Sequence, residues 1–501
     1  MARAQENKEA KYSRPFDVHR WSDYPEVNKA VEAIRRELVA TNPIKKVTDK
    51  QKKHLKVVIL DLYVAWLSDP ELWIGYSRDH HDYQVDSRYN KLHIGYRALI
   101  QVIDSLADSG YIEHKKGFND RRTGIGFQSR MRAKKKLINL IKDRYNIRQY
   151  MTKRTNTEEV ILLKDSEGNL IDYQDNDNTM RMRIQLEAIN QRLERSLIDL
   201  DISDSELKEL VKRFRKDPDR GTLDFSRKRL RRVFNNGSFE EGGRFYHGWW
   251  QEIPREYRKF ITINDSKTVE LDYGGMHLRM LYGIEGLEPP KDSYDIGIPE
   301  APRDIIKKIT NTLLNAESLQ SAKGAIRKDY PDIDYAILLE KIFQKHEAIK
   351  RYFHTGIGIK LQYWDSVIAE KVMLYMYGHY DSPTLPVHDS FIVKSGSEAR
   401  LQKCMEIIFN ELYPTIEAQI KRSIQLMKED TFIDKGDYQV RASSISRIDL
   451  NENPEAAARR NMLIEQIESQ EDWKWKPEIH TKWSEEDTEQ QIAYKPGKRG
   501  S

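Results

Sequence analysis

Apolar residues recur at helical spacing along the N-terminal part of the chain, and a stretch of turn-forming residues follows them. Three stretches have this helical pattern: 26–39, 54–67 and 96–109. Gly110 follows the third stretch and is a typical residue for ending a helix. Short apolar runs at Tyr111-Ile112 and at 125–127 flank a turn-rich segment at 117–124. The pattern therefore predicts helices followed by a β-hairpin.

The middle of the chain changes pattern twice. Residues 150–175 contain short apolar runs and a turn, which predicts a small strand-rich insert. From Met180 to Leu200, apolar residues lie roughly at helical spacing, and this stripe is typical of a helix that packs on a core. The segment Arg213–Arg232 is strongly basic. On composition alone, such a run is either a nucleic-acid surface or a solvated face.

Two later segments each place a single aspartate at the end of a predicted strand. Apolar and polar residues alternate before Asp272, Gly274-Gly275 interrupts the pattern, and helical spacing follows. Two apolar runs flank His388-Asp389-Ser390 and predict a hairpin with an acid in its turn. Acids on neighbouring strands suit a site for two metal ions about 3.5–4 Å apart. An isolated aspartate at such a position more often caps a turn or a helix.

The order of motifs around these acids resembles that of family A DNA polymerases over about residues 240–395. Asp272-Tyr273 with Leu278-Arg279 is similar to motif A of the family, and Val387-His388-Asp389 is similar to motif C. The flanking elements follow in the family's order: Gly243-Arg244-Phe245, Gln251-x-Ile253-Pro254, Arg258, Phe260, the helix face Arg303, Lys307, Asn311 and Asn315, and Leu361-Gln362.

The resemblance implies a role for each matching position. Two Mg²⁺ ions, with Mn²⁺ as a substitute, would be held by Asp272, the backbone carbonyl of Tyr273, and Asp389. The residues implied in binding the incoming nucleotide are Arg303, Lys307, Asn311, Asn315 and His277, with Lys307 also the general acid for pyrophosphate. Arg244, Gln362 and His388 would contact the primer-template. The alternative for His388 is a structural residue held by hydrogen bonds. The alternative for Arg303 and Lys307 is that they are solvated charges on a surface helix.

The chain departs from the family at three positions that bear on sugar choice. His277 stands where the DNA polymerases have Glu, and Asn315 stands where they have Tyr. Ser390 follows the motif C aspartate in place of Glu, as in phage-type single-subunit RNA polymerases. The bulk of His277 favours deoxynucleotides, whereas the other two positions leave ribonucleotides as an alternative substrate.

The predicted N-terminal helices and hairpin are similar to the winged-helix domains of bacterial regulators and plasmid replication initiators. Residues 115–136 hold nine Lys or Arg and one acid, a density that suits duplex DNA because cations displace phosphate counterions. The candidate contacts are Lys115, Lys116, Arg121, Arg122, Arg130 and Arg132. A solvated basic face used for protein contacts is the alternative. In the family, the basic run Arg213–Arg232 would lie in the helical thumb that holds the primer-template.

Composition limits the remaining possibilities. The net charge is +5 with 33% charged and 39% hydrophobic residues, and no apolar run approaches the length of a membrane span. The single cysteine, Cys404, excludes a disulfide framework and suits a reducing compartment. We therefore expect a cytoplasmic protein of a bacterial host, or one associated with its nucleoid, and no membrane partner. No Walker-type loop is evident, and the segment before the thumb-like region is occupied by the predicted winged helix and insert, so we expect no proofreading exonuclease there.

The sequence thus predicts an α+β protein with a right-hand polymerase palm, a helical thumb, reduced fingers and an N-terminal winged helix. The predicted divisions are a polar segment (1–50), the winged helix (51–145), a small insert with the thumb-like region (146–238), palm and fingers (239–440) and a largely disordered tail (441–501). The tail is expected to fold on contact with a protein partner or with the protein's own surface. The predicted function is DNA-dependent DNA polymerisation without proofreading, for a phage, plasmid or mobile element. The alternatives are an RNA polymerase or primase on the same palm, and a non-catalytic initiator or regulator.

Overall fold

The computed structural model is a mixed α/β structure of helices and four sheets. It describes residues 12–41, 48–120, 125–152, 154–155, 157–217, 222–414 and 420–422. The predicted C-terminal tail and the candidate contacts Arg121 and Arg122 lie outside the described residues. Within the described ranges, no helix is both long enough and apolar enough to cross a membrane.

The N-terminal region is built from short strands around three main helices. Its strands are β1 Ser13–Pro15, β2 Trp73–Tyr76, β3 Ile112–Lys115, β4 Phe118–Asp120, β5 Ile125–Phe127 and β6 Ser129–Ala133. Its helices are α1 Pro25–Thr41, α2 Asp49–Ser68, α3 Tyr96–Asp108 and α4 Lys135–Ile138, which continues as a π-helical turn over Asn139–Arg144, with 3-10 turns at His80–Asp82 and Gln149–Met151. The sheet order is β1-β2-β6-β3, and β4 and β5 form a separate hairpin. The three predicted helices of this region are confirmed. The predicted hairpin is wrong in its pairing: Ile112 lies in β3, which pairs with β6, whereas β5 pairs with β4, inside the segment predicted as a turn.

The middle region contributes strands to two different sheets. Its strands are β7 Ile161–Leu163, β8 Ile198–Leu200, β9 Arg231–Asn235, β10 Ser238–Tyr246 and β11 Ile261–Ile263. Its helices are α5 Asp177–Glu194, α6 Asp204–Lys216, α7 Trp249–Glu252 and α8 Arg255–Arg258. Strands β10, β9 and β7 form a three-stranded sheet in that order.

The C-terminal region completes the largest sheet and covers it with helices. Its strands are β12 Ser266–Tyr273, β13 Leu385–Val387, β14 Ser390–Lys394 and β15 Ile420–Arg422. Its helices are α9 Met276–Ile284, α10 Arg303–Asn315, α11 Leu319–Asp329, α12 Tyr335–Lys345, α13 Gly358–Tyr380 and α14 Glu398–Leu412, with a 3-10 helix at Glu347–Tyr352. The sheet order is β13-β14-β12-β11-β8, and β15 also pairs with β12.

Helix α13 is the central helix of this region. It packs against β10, α5, α9 and α14 and is buried on most of its surface. A helix that is apolar nearly all round is stable only inside a protein, because every face must be removed from water. Buried apolar residues form one cluster that runs from Tyr12 to Tyr413. The N-terminal region is therefore packed together with the rest of the described chain.

One predicted helix is shorter than its sequence pattern. The apolar spacing from Met180 to Leu200 predicted a single helix, but α5 ends at Glu194 and Ile198–Leu200 forms β8. Strand β8 pairs antiparallel with β11, with Ile198 opposite Ile263. The pairing partner lies far along the chain, so local periodicity carries no information about this strand.

The last part of the basic run Arg213–Arg232 differs from both predictions made for the run. Lys228 and Arg232 are each 1% exposed and Arg229 is 7% exposed. Lys228 donates to the carbonyls of Glu194 and Ser196 at 2.9 and 3.0 Å, and burial lowers the pKa of its ammonium to about 8. The Arg232 guanidinium lies 3.0 Å from the Glu370 carboxylate. At these residues the run is neither a duplex-holding surface nor a solvated face, because internal partners neutralise or bind the charges.

Buried ion pairs also join the N-terminal region to the middle region. Arg20 lies 3.4 Å from Asp224, and the Asp69 carboxylate accepts a 2.8 Å hydrogen bond from Arg215. The Tyr12 hydroxyl donates to the same Asp69 at 2.7 Å. Residues 12–41, predicted as part of a polar segment, therefore form a strand and a helix inside the folded structure.

Candidate active site

Asp272 lies at the end of the central strand of the largest sheet. Strand β12 pairs antiparallel with β14, in a register that places Asp272 opposite Ser390. Gly275 follows in the left-handed region with φ of 64°, a conformation that glycine adopts without steric cost, and α9 begins at the next residue. The predicted strand, glycine break and helix are confirmed, and the aspartate sits where the strand ends.

Asp389 lies in the tight turn between β13 and β14. His388 has φ of 59°, which is uncommon for a residue with a Cβ and is typical of strained functional turns. The Tyr273 amide donates a 3.2 Å hydrogen bond to the Asp389 carbonyl, so backbone contact joins this turn to the end of β12. Two segments more than a hundred residues apart in the sequence thus meet at one edge of the sheet.

Three side chains form a hydrogen-bonded group beside the two acids: Arg244, His277 and Asp365. Asp365, from α13, is 2% exposed, and its Oδ2 lies 2.9 Å from Nε2 of His277. Arg244 Nε donates to both carboxylate oxygens of Asp365, at 3.1 and 3.0 Å. Burial alone would raise the pKa of Asp365, but the His277 hydrogen bond and the Arg244 charge outweigh it and lower the pKa. Asp365 therefore holds His277 and Arg244 as an anion.

The electrostatics of Asp389 favour a cation. Burial, and then the negative charge of Asp365, raise the pKa of Asp389 above its ordinary value. Carboxylate and carbonyl oxygens, such as those of Asp272, Tyr273 and Asp389, are the donors that Mg²⁺ prefers. The donor set therefore fits a divalent metal site.

A different group of potential metal ligands lies in the N-terminal region. Asp79, His80 and His81 have ligand atoms within 4.8 Å of one another, and all three side chains are exposed. They lie on or next to the 3-10 turn after β2, with Asp79 capping the turn through the His81 amide. Their sequence positions were not among the predicted ligands.

Glu270 is a third carboxylate of the site, and the sequence analysis did not single it out. It is 2% exposed, and its Oε1 accepts hydrogen bonds from Arg258 Nη1 and from Ser390 Oγ, both at 2.7 Å. Glu270 is two residues before Asp272, so the two side chains share a face of β12, and this spacing was the available signal. The bond to Glu270 gives Ser390 a structural role that is independent of the sugar of any substrate.

Four of the five predicted nucleotide-binding residues share one face of α10, and the fifth, His277, lies on α9. Arg303, Lys307 and Asn315 are exposed and Asn311 is half-buried, while Ile306, Ile309 and Leu313 form the buried face. Arg303 is already ion-paired with Asp292 at 3.0 Å. Asn315 donates to the Asn311 carbonyl at 2.7 Å.

Tyr294 connects this helix to the turn after Asp272, and the sequence analysis missed it. The Arg303 guanidinium lies 5.0 Å from the centre of the Tyr294 ring. A Cβ built on Gly275 would lie 3.8 Å from the Tyr294 hydroxyl. Burial raises the pKa of Tyr294 to about 12, with a smaller contribution in the same direction from Asp389. No local pattern marks this residue, because it lies between helices.

The predicted primer-template residues have different environments. Arg244 is committed to Asp365, as described above, and Gln362 is half-buried in the second turn of α13. His388 is exposed, with its ring centre 6.0 Å from that of Tyr246 in an edge-on arrangement.

The predicted duplex-binding residues are not one exposed surface. Arg130 is 4% exposed, and Arg132 is paired with Glu113 at 2.7 Å and Glu71 at 2.6 Å. The Lys115 ammonium lies 5.1 Å from the centre of the buried Trp73 ring. Lys116 is exposed and remains available to a ligand.

Comparison with known proteins gives little further information. No protein-family model matches the sequence, and no curated protein matches it. Among solved structures, the chain is similar to the POL domain of Pol1 from M. smegmatis, in complex with DNA primer-template and dNTP. That similarity has 10% sequence identity and a TM-score of 0.30, and it covers 78% of this chain and 71% of the other. At this TM-score the likeness carries no argument about fold or function.

Proposed function

We propose that this protein is a nucleotidyltransferase, a DNA-dependent DNA polymerase of family A type without a proofreading exonuclease. We also propose that the protein replicates the DNA of a phage, plasmid or mobile element in a bacterial cytoplasm. The observation that carries it is the meeting of Asp272 and Asp389 at one edge of the sheet, joined by the Tyr273 amide. The order of polymerase-like motifs around these acids supports the same conclusion.

In this proposal, Asp272, the Tyr273 carbonyl and Asp389 would hold two Mg²⁺ ions. Such ions, when bound, activate the attacking primer hydroxyl and stabilise the leaving oxygen. The oxygen donors of these three residues support the assignment, because Mg²⁺ prefers carboxylate and carbonyl oxygens. Asp365 is committed to Arg244 and His277, so we propose that it positions them and is not a metal ligand.

The exposed face of α10 would receive the triphosphate. Lys307 is exposed and can place its ammonium on a phosphate, and it is our candidate for donating a proton to pyrophosphate. Arg303 would exchange its exposed ion pair with Asp292 for a phosphate, a change that costs little because exposed pairs are weak. Tyr294 would then lie between the phosphate-binding helix and the acidic edge.

We further propose that residues 51–145 form a winged helix that binds duplex DNA. The support is the strand order β2-β6-β3, with α3 between β2 and β3 in sequence and a hairpin joining β3 to β6. Because Arg130 and Arg132 have internal partners, the phosphate contacts in this proposal come from exposed lysines. Protein partners of the tail remain part of the proposal.

The test of the polymerase proposal is primer extension on a DNA template, with dNTPs and NTPs supplied in separate reactions. We expect Mg²⁺-dependent extension with dNTPs. Extension with NTPs alone would favour an RNA polymerase or primase. Binding to DNA without any extension would favour a non-catalytic initiator or regulator.

His277→Ala should relax the choice of sugar. The ring is held by Asp365 at 2.9 Å, and in the proposed orientation it blocks a 2′-hydroxyl on the incoming nucleotide. We expect NTP incorporation relative to dNTP to rise roughly ten- to a few hundred-fold, the range that a steric pocket contact provides. The measurement is the ratio of the two incorporation efficiencies for wild type and variant.

His379→Ala is the matched control, because His379 is an exposed histidine at the end of α13. It should leave the ratio unchanged. If His277→Ala lowers dNTP and NTP incorporation equally, then His277 is a structural residue and the steric role is wrong.

Replacing Lys116, Lys134 and Lys135 with Gln should weaken duplex binding in a salt-dependent way. All three lysines are exposed in the N-terminal region. For each of these lysines that binds a phosphate, the replacement should reduce the slope of log affinity against log salt by about 0.9. Fluorescence anisotropy over a salt series measures this slope.

The matched variant replaces three exposed lysines of α11 and α12, Lys323, Lys328 and Lys341, with Gln. The net change in charge is the same, so a general charge effect would change both slopes. Equal slopes for the two variants would contradict the proposed DNA surface.

A further inference from the structure

The hairpin β4–β5 is a two-stranded element separate from the N-terminal sheet. Gly117 lies where it leaves the sheet, and its amide donates to Ser129 Oγ at 2.9 Å. A Cβ at this position would lie 2.2 Å from the Phe127 carbonyl oxygen and 2.6 Å from the Ser129 amide nitrogen. Only glycine fits where the two strands approach this closely, so Gly117 fixes the point at which the hairpin leaves the sheet.

The hairpin presents an aromatic pair to solvent. Phe118 and Phe127 are directly opposite in the register, with ring centres 5.2 Å apart and an edge-on arrangement. Phe118 is 53% exposed, which is unusual for a phenylalanine, and Phe127 is half-buried. The paired rings therefore place one accessible aromatic face on this hairpin.

An exposed cation lies at the base of the same hairpin. Lys116 is exposed next to Gly117, whereas Lys115 and Arg130, opposite each other in the last pair of β3 and β6, lie over the Trp73 ring. An exposed ring near an exposed cation suits a ligand that combines flat apolar faces with negative charge. Unpaired nucleotides have both properties, because a base stacks on an aromatic ring while its phosphate meets a cation.

We propose that Phe118 is a base-stacking residue and that this hairpin binds unpaired nucleotides, at a fork or in a single strand. This inference rests on the proposed function, and it adds a ligand class that duplex binding does not include. Phe127 supports the Phe118 ring from the edge, and Lys116 contacts the adjoining phosphate. The protein would then recognise a junction between paired and unpaired DNA.

The experiment compares binding of three fluorescein-labelled DNAs by the full chain: a fork with unpaired arms, an oligo-dT strand and a blunt duplex. For Phe118→Ala, we expect roughly a five- to hundredfold loss of affinity for the fork and the single strand, and less than a twofold change for the duplex. Phe118→Leu should lose nearly as much, because leucine keeps apolar bulk but has no π-face. Ile337→Ala is the control, since Ile337 is also 53% exposed but lies on α12.

A second measurement keeps the test independent of folding. 5-Iododeoxyuridine in an unpaired arm should photocrosslink to the peptide that contains Phe118, and Phe118→Leu should lose the crosslink. Leucine binding as tightly as phenylalanine, or equal losses for all three DNAs, would overturn the proposal. The proposal would also be overturned if Phe118→Ala bound the fork as tightly as the wild type, or if the wild type bound anionic lipid vesicles and not DNA.

Failure of this inference and failure of the polymerase proposal give different results. If the wild type extends primers but binding to the fork does not depend on Phe118, only the stacking role is contradicted. Phe118-dependent fork binding with no extension by the wild type contradicts only the polymerase proposal. Asp272→Asn should bind the fork as the wild type does, because it changes no residue of the hairpin.

Discussion

Asp272→Asn or Asp389→Asn should reduce Mg²⁺-dependent primer extension about a thousandfold or more. Each substitution removes one negative charge and one ionic oxygen donor at the edge where β12 meets the turn between β13 and β14. Metal ions contribute several kcal/mol of transition-state stabilisation, and about 4 kcal/mol corresponds to three orders of magnitude. Single-turnover extension of a labelled primer measures the effect.

Asp329→Asn is the matched control for this loss, because Asp329 is an exposed aspartate at the end of α11. It should extend primers as the wild type does. Both active-site variants should keep their affinity for primer-template and should lose the stabilisation that Mg²⁺ or Mn²⁺ gives the wild type in thermal unfolding. Near wild-type extension by either variant would contradict the two-metal proposal.

Asp365→Ala should have the largest effect on stability in the site. It leaves Arg244, whose side chain is 18% exposed, and His277 without the buried carboxylate that both contact. Removing one partner of a buried ion pair typically destabilises a protein by about 3–5 kcal/mol, because the other charge stays buried. Urea-induced unfolding, followed by circular dichroism, measures the change in the free energy of unfolding.

A double variant separates loss of the pair from loss of packing. Arg244→Met combined with Asp365→Ala removes the isolated charge, so it should be more stable than Asp365→Ala alone. Glu411→Ala, at an exposed position of α14, should change the free energy of unfolding by less than about 0.5 kcal/mol. If the double variant loses as much free energy of unfolding as the two single variants lose together, the two residues are not coupled.

Local features of the sequence predicted several elements correctly. Helix α3 ends before Gly110, which has φ of 74°, as the glycine predicted. The start of α2 is equally local but was predicted too late: the helix begins after Thr48, whose hydroxyl accepts from the Gln51 amide at 3.3 Å, and not at His54. The hairpin turn that carries Asp389 is also where the apolar runs placed it. These features depend on neighbours within a few residues, so the sequence alone contains the needed information.

The roles of charged residues could not be predicted in this way. Lys228 and Arg232 belong to a run that is basic in sequence, yet both are 1% exposed because their partners, including Glu370, come from distant segments. Arg130 is likewise buried, although its neighbours in sequence indicated a surface. Composition reports how many charges there are, whereas burial depends on which distant segments pack against them.

By itself, the sequence predicted the approximate positions of the main helices, the two candidate acids and the expectation that they lie at strand ends. Only the tertiary structure decided that Asp365 holds Arg244 and His277, that Glu270 binds Ser390, and that Tyr294 lies beside the turn after Asp272. The physical reason is the range of each interaction. Periodicity and capping act within a few residues, while a buried carboxylate takes its partners from any strand or helix that folding brings within hydrogen-bond distance.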